Sequence, residues 1–117
     1  MSDNDRLQLL QGTLDLLVPQ TLVFGRQHGH GIATSIQRSA DDELLIDHGS
    51  LYPALQRLER AGLISSDWGT SENNRRARYY TLTRAGRRRL VAETRRWKTM
   101  VRVISRVLKP REAREGP

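Results

Sequence analysis

The chain has 117 residues, of which 37% are hydrophobic and 28% charged, a composition typical of one globular domain. It contains no cysteine, which excludes disulfide bonds and thiolate sites, and no apolar run approaches the roughly 18 residues that span a bilayer. The N-terminal residues do not resemble a signal peptide, so we expect a cytoplasmic protein.

The net charge of +7 is distributed unevenly along the chain. Residues 1–58 carry 4 basic and 7 acidic side chains, whereas residues 59–117 carry 16 basic and 6 acidic side chains. Positive charge concentrated in one half of a small protein is typical of chains whose partner is a polyanion. The charge therefore indicates nucleic acid as a partner.

Apolar residues recur at helical spacing between residues 7 and 23, which predicts a buried first helix. They are Leu7, Leu10, Leu14, Leu17 and Val18. Thr13 is a candidate N-cap for this helix. Pro19 should kink or interrupt the helix, because proline lacks the N–H group that bonds to residue i−4.

A glycine-rich turn at residues 28–31 precedes a short second helix, predicted over residues 32–38. His28 and His30 raise the question of a metal site, but no carboxylate or cysteine is spaced to complete a tetrahedral set of ligands. We interpret both histidines as turn or capping residues, and we expect no cofactor. Residues 44–46, which follow a small acidic loop, are predicted as a short strand or a buried loop.

The stretch at residues 49–63 predicts a third helix, over residues 49–61, with one apolar and one polar side when wound at about 100° per residue. The apolar arc consists of Leu51, Ala54, Leu55, Leu58 and Ala61. The polar side consists of Tyr52, Pro53, Gln56, Arg57 and Arg60. Ser50 is the predicted N-cap, and Gly62 is the expected left-handed residue at the end. The polar side suits the major groove of DNA, although an ordinary surface helix can show the same pattern.

Two segments rich in β-forming residues, 63–68 and 76–82, predict a hairpin with a loop at residues 69–75. Basic and amide side chains gather at this loop or just after it: Asn73, Asn74, Arg75, Arg76 and Arg78. A solvated loop could have this composition. Its position directly after a basic amphipathic helix favours a contact with nucleic acid.

Thr83 is predicted to cap a last helix that spans residues 84–109. Apolar residues in this helix alternate at spacings of four and three, as in a coiled coil. Leu90 can pack on its own domain, whereas the stretch from Trp97 to Leu108 is predicted to meet a second copy of the chain. The residues assigned to dimerisation are Leu90, Trp97, Met100, Val101, Ile104, Val107 and Leu108.

The order of these elements predicts a mainly α fold with a small β-hairpin. We expect a winged helix-turn-helix domain at residues 1–82, a dimerisation helix at residues 83–109 and a disordered tail at residues 110–117. Four segments follow one another in this order: LLQGTLDLLV, HGHGIATSIQ, HGSLYPALQRLERAGLISSDWG and NNRRARYYTLTRAGRRRL. They resemble the short PadR-type transcriptional regulators, and the resemblance extends over residues 7–108.

The resemblance implies a homodimer that represses transcription from a near-palindromic operator until a small molecule or a stress signal relieves the repression. It also implies that Tyr52 is the tyrosine of the recognition helix and that the wing contains Arg75, Arg76 and Arg78. Pro19 departs from the family pattern. The C-terminal half of longer members is absent, so a small-molecule inducer would bind between the subunits or between the last helix and the winged domain.

The chemistry of the residues separates expected contacts with bases from expected contacts with the DNA backbone. Ser50, Tyr52, Pro53 and Gln56 lie near the start of the predicted recognition helix, where such helices contact bases, and Gln56 can bond to an adenine edge. The Tyr52 hydroxyl and Arg57 are expected to hold phosphates. The hairpin residues Asn73, Asn74, Arg75, Arg76 and Arg78 are expected to follow the backbone or enter the minor groove.

Two other functions compete with DNA recognition. A winged-helix module that binds protein or RNA is the main alternative, because a basic surface also suits other anionic partners. An enzyme is disfavoured, since no nucleophile and base are paired at a readable spacing.

Overall fold

Four helices and five short strands make up the described part of the chain, residues 7–8 and 12–110 of a computed structural model. The helices are α1 (Leu14–Leu22), α2 (Gly29–Ser39), α3 (His48–Arg60) and α4 (Arg84–Leu108). The strands are β1 (Leu7–Gln8), β2 (Gln27–His28), β3 (Leu44–Leu45), β4 (Ile64–Thr70) and β5 (Arg76–Leu82). This is the expected winged-helix architecture with a long C-terminal helix. None of the helices in these residues could cross a membrane, and the predicted tail falls outside them from residue 111 onward.

The antiparallel sheet is larger than the predicted hairpin. Strands β4 and β5 pair with Trp68 opposite Arg78, which confirms the hairpin. Strand β2 pairs with the other side of β5, with Gln27 opposite Tyr80, so the strand order is β2-β5-β4. Two residues are too few to show an alternating pattern, which is why β2 cannot be predicted from the sequence. Because β2 leads directly into α2, the sheet places the start of α2 beside the hairpin.

Helix α1 is shorter than predicted, and the prediction of a helix from residue 7 is wrong. Leu7 belongs to β1, which pairs in parallel with β3 through Leu44, while Leu10 lies outside the described residues. Gly12 has a φ of 86°, a left-handed conformation that a continuous helix cannot contain. Thr13 occupies the N-cap position, but its side chain makes no capping hydrogen bond. Pro19 does not interrupt α1, which continues to Leu22 with Pro19 buried.

Side-chain caps set the first residues of α2 and α3. At α2, His28 Nδ1 accepts a hydrogen bond from the Gly31 N–H at 3.0 Å, which confirms a capping role for this histidine. At α3, the N-cap is Asp47 and not Ser50, and its Oδ1 accepts the Ser50 N–H at 2.8 Å. A carboxylate is favoured here because its negative charge also interacts with the helix dipole. The Ser50 hydroxyl donates to the other carboxylate oxygen at 3.2 Å.

The hydrophobic core lies between the helices and one face of the sheet, and it fixes the orientation of α3. The apolar arc of α3 is buried as predicted, except for Ala61, which follows the last helical residue and is exposed. Gly62 has the expected left-handed conformation, with a φ of 75°. Residues from all four helices, from β4 and β5 and from the loop before α3 contribute: Leu14, Val18, Leu22, Ile32, Ala33, Ile36, Ile46, Leu51, Ala54, Leu55, Leu58, Ile64, Tyr80, Leu82 and Leu90. With its apolar arc in the core, α3 exposes its polar side.

Helix α4 is attached to the domain through its first two turns. Thr83 caps the helix as predicted: its Oγ1 accepts the Gly86 N–H at 3.0 Å and donates to the Gly62 carbonyl at 2.8 Å. Gly86 approaches the backbone of Leu63 so closely that a Cβ would lie 2.0 Å from the Leu63 carbonyl oxygen. Leu90 is the last buried side chain of α4. Helices α3 and α4 are therefore joined directly at the turn that follows α3.

Candidate nucleic-acid interface

The polar side of α3 is exposed, as predicted. The predicted contact residues on it are Ser50, Tyr52, Pro53, Gln56 and Arg57. The Tyr52 ring stacks on His48 with 5.7 Å between the ring centroids. It also lies against the start of α2, where a Cβ on Gly29 would be 3.0 Å from the Tyr52 hydroxyl. These contacts hold Tyr52 between the two helices while 45% of its surface remains exposed.

Arg57 is engaged within the chain. Its Nη2 donates to Asp15 Oδ1 at 2.7 Å, and its side chain is 51% exposed. The hydrogen bond to Asp15 raises the pKa of Arg57 above its ordinary value. Solvent screens an exposed ion pair of this kind, so a phosphate oxygen can replace the carboxylate. Asp15 is not predicted as a partner, because 42 residues separate it from Arg57.

The wing, defined here as β4, β5 and their loop at residues 71–75, presents the second group of predicted contacts. The loop is closed by hydrogen bonds from the Ser71 N–H to the Arg75 carbonyl at 2.7 Å and from the Asn74 N–H to the Ser71 carbonyl at 2.9 Å. Asn74 has a φ of 58°, a conformation that asparagine adopts more readily than most residues. The side chains of Asn73 and Arg75 are exposed and form no hydrogen bond with other described residues. Both can therefore contact a partner.

Trp68, which is not among the predicted site residues, lies between two arginines of the wing. The Arg76 guanidinium carbon is 4.3 Å from the centre of the Trp68 ring and that of Arg78 is 5.5 Å away, both within the range of cation–π contacts. The tryptophan is 53% exposed. Its position opposite Arg78 in the hairpin is the sequence signal that could identify it, because cross-strand neighbours share a face of the sheet.

Arg78 is also bound at the base of the wing. Its Nε donates to Ser66 Oγ at 2.9 Å, and its Nη2 lies 3.4 Å from Glu59 Oε2. The Ser66 hydroxyl donates to the same Glu59 oxygen at 2.5 Å. We call these three residues the Glu59 network. It connects the last turn of α3 to both strands of the wing.

An open groove of about 900 Å³ lies between the start of α2, the Tyr52 ring and the wing. Cations and aromatic rings line it together, among them Arg75, Arg76, Arg78, Tyr52, Trp68 and Tyr80. Tyr80 is almost fully buried, and this burial raises the pKa of its hydroxyl. Clustered cations at the surface suit the phosphates of a nucleic-acid backbone. Tyr52 of α3, the start of α2 and the wing thus meet at one cationic surface.

The described residues contain no group of three histidine, cysteine, aspartate or glutamate side chains that could hold a metal ion. The His28 and His30 rings stack with 6.4 Å between their centroids. His28 also packs edge-on against Tyr79 at 5.4 Å. These contacts place both histidines at the junction of the sheet and α2.

The distal half of α4 forms a separate apolar surface, which we call the seam. It consists of Trp97, Met100, Val101, Ile104, Val107 and Leu108, whose exposed fractions run from 44% to 76%. At about 100° per residue these side chains share one side of the helix, and Arg95, Arg102 and Arg106 lie on the opposite side. Leu90, also assigned to dimerisation, is only 8% exposed and packs into the core of its own domain.

Comparison with known proteins identifies the family. Residues 20–92 match the transcriptional regulator PadR-like family. A transcriptional regulator from Clostridium thermocellum superposes with a TM-score of 0.77 at 29% identity, over 85% of this chain and 96% of that chain. A PadR family transcription regulator from hypervirulent Clostridium difficile R20291 superposes with a TM-score of 0.72 at 27% identity, over 84% and 100% of the two chains.

An uncharacterized protein from Lysinibacillus sphaericus is 23% identical over 99 residues, which are 85% of this chain and 91% of that protein. The matched family is one of transcription regulators and not of enzymes. The family match covers more than half of the chain, from the end of α1 through α3 and the wing into α4. The chain therefore belongs to the PadR-like family of transcriptional regulators.

Proposed function

We propose that the chain is a homodimeric repressor that binds a near-palindromic operator in duplex DNA. The observation that carries this proposal is the cationic groove that the wing forms with the start of α2 and with Tyr52, the α3 residue that lines it. A recognition helix and a wing on one surface can contact a major groove and the neighbouring backbone together. The family match supports a role in transcription regulation.

The contacts divide by chemistry. The Gln56 amide, which forms no hydrogen bond with other described residues, is the candidate for reading an adenine edge, with Ser50 and Pro53 beside the bases. Tyr52 and Arg57 are the candidates for phosphate contacts on α3. The wing supplies the candidates for contacts with the backbone or the minor groove: Asn73, Asn74, Arg75, Arg76 and Arg78.

The proposed dimer forms through the seam on α4. A contiguous apolar stripe of this kind marks an interaction surface, and the basic residues on the opposite side of the helix stay away from the contact. Two winged domains joined in this way would place their α3 helices in successive major grooves, about 34 Å apart. We further propose that a small-molecule inducer binds at this interface, next to Trp97 and Met100, where an aromatic ring and a flexible thioether can line an adaptable pocket.

Selection of DNA by the protein tests this function. Wild-type protein mixed with a library of random duplexes is expected to enrich a two-fold symmetric sequence. The Gln56→Ala variant is expected to bind that sequence more weakly and to lose preference at one base position in each half. Placed between a promoter and a reporter gene, the selected sequence is expected to lower expression when the protein is present.

Competition with other nucleic acids distinguishes this function from the alternative, a winged-helix module that binds RNA or protein. Duplex DNA is expected to displace the bound operator, and single-stranded RNA of the same sequence is not. Equal displacement by RNA, or no enrichment of any duplex, would show that the basic surface serves another partner. Increased expression of the reporter would contradict the assignment as a repressor.

A further inference from the structure

An acidic side chain lies at the end of the recognition helix that faces the wing. Glu59 is in the last turn of α3, and its side chain is 34% exposed. On a surface that attracts phosphates, a carboxylate lowers the affinity for DNA through charge repulsion. Glu59 therefore disfavours DNA binding unless its contacts within the chain compensate for the repulsion.

The hydrogen bonds of Glu59 indicate what that role is. One carboxylate oxygen accepts from Ser66 on β4 at 2.5 Å and lies 3.4 Å from the Arg78 guanidinium on β5. Arg78 closes the triangle by donating to Ser66 at 2.9 Å. The three groups belong to three different elements, so their relative positions define how the hairpin lies against α3.

The same network extends toward the loop of the wing. Arg78 contacts the Trp68 ring at 5.5 Å, and Arg76 lies over that ring at 4.3 Å. The orientation of Arg78 therefore influences the position of Trp68, and Trp68 in turn supports the Arg76 guanidinium. Arg78 has a carboxylate, a hydroxyl and a ring as partners, whereas Arg76 has only the ring among the described residues.

We propose that Glu59 is a positioning residue that sets the angle between the recognition helix and the wing by holding Arg78. In this assignment, Arg78 supports Trp68 and Arg76, and Arg76 and Arg75 contact phosphates. The inference rests on the proposed DNA-binding function. It goes further by giving an acidic residue a favourable part in recognition of the operator and by removing Arg78 from the set of phosphate contacts.

A matched pair of glutamates separates positioning from repulsion. Glu72 lies in the wing loop and lines the same groove, and it forms no hydrogen bond or ion pair with other described residues. Glu72→Gln removes a negative charge only, so it is expected to raise the affinity for the selected operator and for random duplex DNA by the same small factor. Glu59→Gln is expected to lower the affinity for the operator about tenfold, about 1.4 kcal/mol, while random duplex is bound as well as before or slightly better. If both variants strengthen binding to both DNAs, Glu59 acts by charge alone and the proposal is wrong.

Arg78→Lys gives a second comparison because it keeps the positive charge and loses the fork of N–H donors. The variant is expected to lose operator affinity about as much as Glu59→Gln, with an unchanged slope of log K against log salt concentration. The double variant is expected to show the same loss as either single variant, since the two residues act through one contact. A lower salt-dependence slope for Arg78→Lys, or losses of operator affinity that multiply in the double variant, would contradict the positioning role and show that Arg78 contacts a phosphate.

A measurement without DNA tests the geometry even if the proposed function fails. In a Trp97→Phe background, Trp68 is the single tryptophan and reports on the stacked arginines of the wing. Glu59→Gln is expected to change the emission of Trp68 and to make it more accessible to acrylamide, whereas Glu72→Gln leaves both unchanged. Unchanged emission and quenching in Glu59→Gln, with an unchanged melting temperature, would overturn the positioning role. Changes in Trp68 emission in a protein that binds no duplex would refute only the proposed function.

Discussion

The four arginines of α3 and the wing that we propose as DNA contacts differ in how far their charge is neutralised within the chain. Arg57 is paired with Asp15, and Arg78 is paired with Glu59. Arg76 stacks on Trp68, and Arg75 has no side-chain partner among the described residues. A phosphate must displace a carboxylate from the first two, whereas it can bind Arg75 without such a cost. Four identical side chains are therefore expected to contribute unequally to DNA binding.

Arg75→Ala is expected to weaken binding to the selected operator and to random duplex DNA by the same factor. Each lost phosphate contact lowers the slope of log K against log salt concentration by roughly 0.9 per subunit, because fewer counterions are released. Affinities measured across a series of salt concentrations check this. Arg89→Ala is the matched control, because Arg89 is an exposed arginine of α4 paired with Glu93 and does not line the groove. If Arg75→Ala instead abolishes sequence preference and leaves random binding intact, Arg75 reads bases.

At the scale of single elements, length decides what can be predicted from the sequence. The hydrophobic pattern identifies α3 and α4 because they contain 13 and 25 residues, long enough for several periods. The same rule cannot detect β1 and β2, which have two residues each and exist only through pairing with distant strands. The N-cap of α3 is misassigned because Asp47 and Ser50 are both good capping residues, and only the backbone geometry chooses between them.

In the candidate site, too, some residues can be predicted from the sequence pattern and others cannot. The side chains on the exposed face of α3 and on the wing follow from periodicity and charge. The Glu59 network does not, because its members are 7 to 19 residues apart and meet only when the wing folds back on α3. Trp68 is not among the predicted site residues, because its contacts with Arg76 and Arg78 form only in the folded hairpin.

The seam of α4 leads to a prediction about the whole element. Replacing Trp97 and Ile104 together by alanine is expected to give monomers in sedimentation experiments at micromolar concentration. Both side chains lie at the centre of the apolar stripe, and their burial across a two-fold axis would contribute several kcal/mol, roughly 2 per side chain. Val91→Ala is the control, because Val91 is 55% exposed on the same helix but lies outside the stripe. A double variant that remains a dimer would contradict the assignment of the seam.

At the scale of the whole molecule, α4 connects the proposed dimer interface to the recognition helix. Thr83 bonds to the Gly62 carbonyl immediately after α3, and Gly86 packs on the Leu63 carbonyl. A change in the crossing of the two α4 helices would therefore move the two α3 helices relative to each other. In the proposed dimer, a ligand that binds beside the seam would weaken operator binding without touching the residues that we propose as DNA contacts. To lower operator affinity a hundredfold, the ligand must favour the dimer that does not bind DNA by about 2.7 kcal/mol of binding free energy.

Titration with a panel of uncharged aromatic compounds tests this coupling through tryptophan fluorescence. A compound that binds at the interface is expected to quench wild-type emission and to lower operator affinity over the same concentration range. The Trp97→Phe variant, in which only Trp68 remains, is expected to show no quenching. Compounds that quench Trp97 and leave operator affinity unchanged would refute regulation by this route.

The uncovered seam also affects how the regulator would respond to its own abundance. Below the dissociation constant of the dimer, the concentration of dimers rises with the square of the concentration of chains. If only dimers occupy a two-fold operator, doubling the number of chains would increase its occupancy up to fourfold. Synthesis and degradation of the chain would then act as inputs to transcription, and the response to them would be steeper than for a monomeric regulator.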